Sequence, residues 1–382
     1  MFQLDEEQRL ILQSVREIVQ KEIKPRAVPL DESGDFPWDA VRIFSKNDLL
    51  NPLLPRRFGG VEVSYFTFCV ILEEIAKGCA SSSDLLVAQA EGMLPILRGE
   101  DEPLKEKYLK RLGGSSQVLI ALGGADPSAG SGIFSDEVKA ISHGENYVLQ
   151  AEKCVVRNGS VLDFMVFYAN ADPSKGPNGI NAFVVEKEFP GFHNRGNENK
   201  MGMRGMIRSD VFLRNCEVPK ANRIDKESEG FSNMMETISL SRLFTAAQAV
   251  GLAHGAMEEA IAYARHREQF GKPISHHAPI QFMIADMATG IESARLLTYR
   301  TAYLFDENDQ KAKTHACMAK LLASDVAMKV TADTVQIMGG YGYMKDYPAE
   351  RMMRDAKQLQ IQSGTNQIMR LAVGRDLTGV SE

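Results

Sequence analysis

The sequence predicts a helical protein interrupted by one β domain. Three observations carry this. Apolar residues recur at helical spacing from Leu10 to about Leu112, and short apolar or alternating runs bounded by turn residues fill roughly 119 to 225. From Gly230 the helical period returns and persists. The expected domains are therefore 1–118 (helical), 119–225 (β) and 226–382 (helical).

Asp5 and Gln8 have the spacing of a capping box, and Leu10, Ile11, Val15, Ile18 and Val19 follow on one face. Pro25 and Pro29 are expected to stop this helix, since each lacks a backbone N–H. A short helical piece starts at 41–44, and Pro52, Pro55, Gly59 and Gly60 form a loop. Residues 66–80 place Phe68, Leu72, Ile75 and Ala76 on one helical face, 85–96 follow, and Pro103 suits the first turn of 103–112. The predicted strands are 118–122, 147–150, 164–169, 182–185 and 211–213, separated by Gly144, Asn158-Gly159, Asp172-Pro173, the turn 175–179 and Pro190-Gly191. Beyond them come helices over 231–266, 278–305 and 311–338. The first carries Ala246, Ala247, Ala249, Gly251 and Gly255, which let a partner helix approach closely, and long antiparallel helices of this kind build a four-helix bundle.

A chain of 382 residues can bury cores for two or three domains, and 44% hydrophobic with 25% charged residues is ordinary for a globular protein. The net charge of -6 excludes an electrostatic footprint for nucleic acid or an anionic membrane. No apolar run is long enough to span a bilayer, and the acidic start at Asp5, Glu6 and Glu7 lacks a signal peptide's apolar core. Cys69, Cys79, Cys154, Cys216 and Cys317 show no disulfide or metal rhythm and read as reduced thiols of a cytoplasmic protein. His276 and His277 lack a third ligand, so no metal site is expected.

Two glycine-rich turns near the end, Gly339-Gly340-Tyr341-Gly342 and Ser363-Gly364-Thr365-Asn366-Gln367, flank a predicted helix bearing Arg354-Asp355. Turns without side chains suit close backbone approach to a large polar ligand. With Arg267-Glu268-Gln269-Phe270-Gly271-Lys272-Pro273-Ile274 and Met201-Gly202-Met203-Arg204-Gly205, they make an ordered motif set along which the whole chain resembles the FAD-dependent acyl-CoA dehydrogenases. The resemblance implies an N-terminal α-helical domain, a middle β-barrel or sandwich domain and a C-terminal four-helix bundle, assembled as a homotetramer or homodimer. It further implies an acyl-CoA thioester substrate, FAD as cofactor and electron-transfer flavoprotein as electron acceptor.

By the same resemblance, Arg267, Gln269, Phe270, Gln336 and Gly340 serve the FAD of a neighbouring subunit, and Thr365 and Gln367 serve their own. The guanidinium of Arg267 matches a phosphate, Phe270 offers an apolar face to the adenine end, and Gly340 leaves room for the backbone. An ion pair of Arg267 with Glu268 or Glu258 is the competing reading. The β domain departs from the family pattern. In the loop resembling T-E-P-x-A-G-S-D the threonine is Ala125 and the last residue is Gly132, with Ser131 kept; in the segment resembling K-x-W-I-T-N-G, Val155 replaces the tryptophan and Arg157 a hydroxyl donor. A guanidinium near the flavin would stabilise its reduced, anionic form or bind an anionic group.

Family chemistry needs a carboxylate to take a proton from the acyl group. Most members resemble one another in placing a Glu just before the final Gly-Thr, where this chain has Ser363; a second subgroup places it before a helix arginine, where this chain has Ser241 beside Arg242. Serine cannot replace either. Glu91, in a segment that lines the acyl pocket in the family, is the remaining candidate, against a solvated helix-end carboxylate. A subgroup acting on alicyclic thioesters uses a carboxylate from this region for 1,4-elimination on cyclohex-1-ene-1-carboxyl-CoA. The Ser363 backbone N–H is expected to polarise the thioester carbonyl, and Arg242 to orient nearby groups. Asp84 and Arg208 are candidates for the pocket edge, with a surface charge the preferred reading of each. Lyase-type chemistry with structural FAD, or a degenerate binding subunit, stays open at this level.

Overall fold

The structure, a computed structural model, describes residues 4–124, 130–131, 138–226 and 229–380. Helix α1 (Glu6–Ile18) starts at the expected capping box, with the Gln8 N–H donating to Asp5 Oδ1 at 2.8 Å and the Asp5 N–H to Gln8 Oε1 at 3.0 Å. The prolines do not end the helical course. It widens into a π turn (Val19–Ile23), tightens over Lys24–Arg26 where Pro25 sits at the start, and resumes as α2 (Ala27–Ser33) with Pro29 in its first turn. Each new start has N–H groups without intrahelical partners, so a missing one costs little there.

Helices α3 (Trp38–Lys46), α4 (Tyr65–Gly78), α5 (Ala80–Arg98) and α6 (Glu102–Leu109) complete the N-terminal unit. Every residue of α5 from Ala80 to Ile96 is buried, so this helix has no solvent face and its polar residues must find partners inside. It lies close against the first strand at Gly92, where a Cβ would come within 2.7 Å of Ile120 Cγ1 and 3.0 Å of the Ala121 carbonyl oxygen.

The middle unit is one seven-stranded mixed sheet: β1 (Ile120–Gly123), β2 (Lys139–His143), β3 (Asn146–Arg157), β4 (Phe164–Asn170), β5 (Ile180–Glu186), β6 (Phe192–Arg195) and β7 (Arg208–Pro219). Its path runs β1-β4-β2-β3-β7-β6, with β5 paired to β4. Strands β2 and β6 were not foreseen, because most of their side chains are exposed and supply no apolar alternation. Strand β3 is far longer than the expected 147–150 because register shifts between Leu149 and Cys154 break its alternation.

The last unit holds α7 (Gly230–His266), a two-stranded hairpin of β8 (Glu268–Gln269) and β9 (Lys272–Pro273), then α8 (Ala278–Asp306), α9 (Ala312–Met338), α10 (Gly340–Tyr343), α11 (Ala349–Ile361) and α12 (Asn366–Thr378). A core of alanines from α7 and α9 packs these helices closely, as the small residues predicted. The turn 201–205 docks on α11: Asp355 accepts from the Met203 N–H, and a Cβ on Gly202 would meet the Arg354 carbonyl oxygen at 2.3 Å.

One carboxylate between the units is under-satisfied. Asn233 donates to Asp225 Oδ1 at 2.7 Å, while Oδ2 is buried without a hydrogen-bond partner among the described residues. Burial pushes the Asp225 carboxyl up to about 6 from 3.8. The folded state then binds the proton more tightly than the unfolded chain, so this contribution to stability is present at low pH and lost as pH rises through about 6. Asp225→Asn, which keeps the acceptor, should therefore stabilise the fold by about 2 kcal/mol at pH 8 and by almost nothing at pH 4. Urea denaturation at the two pH values checks this; a loss of stability at pH 8 contradicts it.

Candidate active site

The three units meet around α5. Asp84 and Glu91 are seven residues apart in this helix and thus on one face, and both are buried, Glu91 at 3% exposure and Asp84 at 0%. Arg157, the last residue of β3, reaches between them: Nη1 lies 3.1 Å from Asp84 Oδ1, and Nη2 pairs with Glu91 Oε2. Asp84 and Glu91 are therefore neither surface charge nor solvated helix end.

The other oxygen of Glu91, Oε1, accepts from the Ser241 hydroxyl of α7. Ser241 Oγ is 2.6 Å from Ser363 Oγ, which is 3.1 Å from Thr245 Oγ1. Gln362 donates to Thr245 Oγ1 at 3.4 Å and to Gln248 Oε1 at 3.3 Å, and Gln248 donates to Asp84 Oδ1 at 3.3 Å. The chain of contacts closes on itself through Asp84, Arg157, Glu91, Ser241, Ser363, Thr245, Gln362 and Gln248. Its α7 members stand at i, i+4 and i+7, a polar stripe on a helix that is otherwise mostly alanine, glycine and leucine nearby. Glu91 is thus tied directly to Ser241 and through it to Ser363, so the three positions occupy one small volume.

Ser363 and Gly364 have φ of +56° and +95°, a reversal that projects the loop towards α7. Arg242, buried, donates from Nε to the Ser363 carbonyl oxygen at 3.3 Å and from Nη1 towards Cys317 Sγ at 3.4 Å. A carboxylate has about four acceptor sites, so Glu91 retains capacity for a proton beside its two donors. Positive charge gathers on the strand side. Arg208 pairs with Arg157 across β3 and β7, and its Nε is buried without a partner among the described residues, so the surface-charge expectation fails for it too. Burial pushes the Lys200 ammonium down to about 8, with Asp84 drawing it back up.

A second feature is a groove of about 460 Å³ lined by Tyr263, Arg267, Gln269, Ile274, Gly340 and Tyr341 among others. The Arg267 guanidinium lies 5.7 Å from the Tyr341 ring centroid, and no atom lies within 4 Å of where a Gly340 Cβ would stand. Glu258 is held by Lys77 at 3.0 Å. A cation, an amide, open backbone and apolar walls fit the diphosphate and adenine of a dinucleotide, and the unpartnered Arg208 Nε fits a polar group at the other site.

Of the expected cofactor residues, the structure brings Arg267, Gln269 and Gly340 to this groove. Phe270 stands at the hairpin tip, 93% exposed with φ of +54°, its ring 5.9 Å from that of His277. Gln336 is exposed near the end of α9, Thr365 caps α12 by accepting from the Ile368 N–H at 3.4 Å, and Gln367 is exposed beside it. Val155 is half-buried in β3 and Ser131 exposed; Ala125 lies outside the described residues. Thr245, Gln248 and Gln362 were missed, although the α7 stripe and the spacing of Asp84 to Glu91 were visible signals.

Residues 5–114, 121–216 and 228–378 match the family profiles of the acyl-CoA dehydrogenase N-terminal, middle and C-terminal domains. The chain is 52% identical to the cyclohex-1-ene-1-carbonyl-CoA dehydrogenase of Geobacter metallireducens, covering 99% of each chain. Its identity to that of Syntrophus aciditrophicus is 48%, covering 99% of this chain and 91% of the relative. Among solved structures, butyryl-CoA dehydrogenase from Megasphaera elsdenii superposes with a TM-score of 0.95 at 32% identity, covering 99% of this chain and 100% of that one.

Proposed function

The chain belongs to the acyl-CoA dehydrogenase family, oxidoreductases acting on CH–CH bonds, and we propose that it oxidises cyclohex-1-ene-1-carbonyl-CoA with Glu91 as base and FAD as cofactor. The names of the relatives at 52% and 48% identity support the substrate. One observation supports the base above others: the buried Glu91 carboxylate is hydrogen-bonded to Ser241 and linked through it to Ser363, where the family's two usual bases would stand.

Bound FAD would supply the acceptor for the hydride. Arg267, Gln269 and Gly340 would hold the adenine and diphosphate end of a neighbouring subunit's FAD, with Phe270 and Gln336 beside them, and Thr365 and Gln367 would serve the chain's own FAD. Because the groove and Phe270 face outward, it suits the cofactor of a neighbouring subunit in a homodimer or homotetramer. Near the ring, Val155 leaves space where a larger side chain would pack, and Arg157 and Arg208 favour negative charge on the reduced ring. Ser131 would complete the ring edge in this reading.

Glu91 takes a ring proton remote from the α-carbon; one C–H bond gives its electron pair to the ring as the new double bond forms, and the other hydrogen leaves as hydride. The Ser363 N–H polarises the thioester carbonyl, whose oxygen gains negative charge as the proton departs. Arg242 fixes that residue by its bond to the Ser363 carbonyl. Electrons then pass to an electron-transfer flavoprotein.

An anaerobic absorption titration tests this. The purified holoenzyme should be yellow, lose its flavin band on adding cyclohex-1-ene-1-carbonyl-CoA, and respond at least tenfold less to butyryl-CoA. Turnover with an unchanged flavin spectrum would point to non-redox chemistry, and a colourless protein that takes up no FAD would end the proposal.

A further inference from the structure

Lys320 sits in the middle of α9 with no exposed surface, among the largest fully buried side chains of the protein. Its three ammonium N–H groups are all used. Nζ lies 3.0 Å from the Gln360 carbonyl oxygen, 2.7 Å from that of Gly364 and 2.8 Å from Asn366 Oδ1. These acceptors belong to the last turn of α11, to the loop and to the first residue of α12, so one cation closes the segment 360–366. Asn366 is itself fixed, donating to Ser324 Oγ at 2.9 Å and to Asp325 Oδ1 at 2.7 Å. Asp325 Oδ1 also takes the Gln360 side-chain amide at 2.7 Å.

The loop needs such a restraint. Ser363 has a side chain yet a φ of +56°, and Gly364 follows at +95°, so two successive residues occupy left-handed backbone that costs energy at the serine. Its carbonyls turn to two cations, Ser363 O to Arg242 and Gly364 O to Lys320. Burying an ammonium costs several kcal/mol unless every donor is paired, and a helix-packing role alone would be met by an apolar residue.

We propose that Lys320 is a positioning residue for the reaction: by clamping the carbonyls of Gln360 and Gly364 it sets the place of the Ser363 peptide, and so of the N–H that polarises the thioester carbonyl. The inference rests on the proposed acyl-CoA reaction. Lys320 touches no reacting atom and acts through the loop.

Lys320→Met keeps the length and apolar stem but removes the donors. In the holoenzyme, vibrational difference spectra of the bound thioester read carbonyl polarisation directly, and affinity for the thioester is compared with that for the thioether lacking the carbonyl. The variant should move the carbonyl band back towards its free position and weaken thioester binding about tenfold, leave thioether binding unchanged, and lower kcat about 10- to 100-fold, as a misplacement of about 1 Å does. Asn366→Leu, which removes the acceptor that steadies the ammonium, should move the band in the same direction by less. A folded, FAD-loaded Lys320→Met with wild-type band position and kcat overturns the proposal, and so does failure of both variants to accumulate as holoenzyme, which makes Lys320 a folding determinant only. A wild-type enzyme that leaves the carbonyl band unshifted overturns the role of Ser363 itself, a result distinct from failure of Lys320.

Discussion

Glu91→Gln should lower the rate of flavin reduction by substrate about a thousandfold while leaving FAD and thioester bound. The size follows from the worth of a placed general base, about 10²–10⁴-fold. Glutamine has nearly the same shape and keeps an oxygen to accept from Arg157 and an amide to meet Ser241, so the surrounding contacts can persist. What it lacks is a basic lone pair for the departing proton. Neither Ser241 nor Ser363 can compensate, since the charged groups hydrogen-bonded to them are Glu91 itself and the Arg242 that holds the Ser363 carbonyl. Stopped-flow absorption under anaerobic conditions measures the rate, since the flavin band itself reports. Bleaching at the wild-type rate would remove Glu91 from the chemistry.

Arg157→Met should destabilise the folded protein by about 3–5 kcal/mol at neutral pH, the cost of leaving a buried charge without its partner. Arg157 stands between two carboxylates that are both buried, and it is the cation that each of them pairs with. Without it, Asp84 keeps one amide donor from Gln248, and Glu91 keeps the Ser241 hydroxyl. Adding Asp84→Asn to Arg157→Met removes one of the two stranded charges and should recover about half of the loss, whereas Asp84→Asn alone in the presence of Arg157 should cost less than about 2 kcal/mol. Urea denaturation of the four proteins gives the cycle. Additive effects would mean that Asp84 and Arg157 do not act together. The same guanidinium that was expected beside the flavin is thus also the counter-ion of the candidate base, which couples the charge of one to that of the other.

Much of the fold was legible because its signals are local. The helices over 66–80, 231–266, 278–305 and 311–338 were read within a few residues of their ends, since buried faces on long helices repeat every three or four positions. Legibility failed where exposure or a bulge erased the pattern, as in β2, β6 and the middle of β3. Pro25 and Pro29 misled for another reason: their effect depends on where each falls in a helical turn, and a π turn moved both to tolerated places.

The site divides in the same way. By itself the sequence determined the helix–strand–helix plan, the family motifs, the loss of a carboxylate at Ser241 and Ser363, and Glu91 as the substitute to examine, because residue identity at a motif position needs no coordinates. Only the tertiary structure decided that Asp84 is buried rather than on the surface, that Arg157 lies between it and Glu91, and that Lys320 reaches across from α9 to the final loop. Those contacts join residues 44 to 73 positions apart, which no local period encodes. They exist because α5 has no solvent face, so each of its charges is obliged to find a partner wherever the other two units bring one.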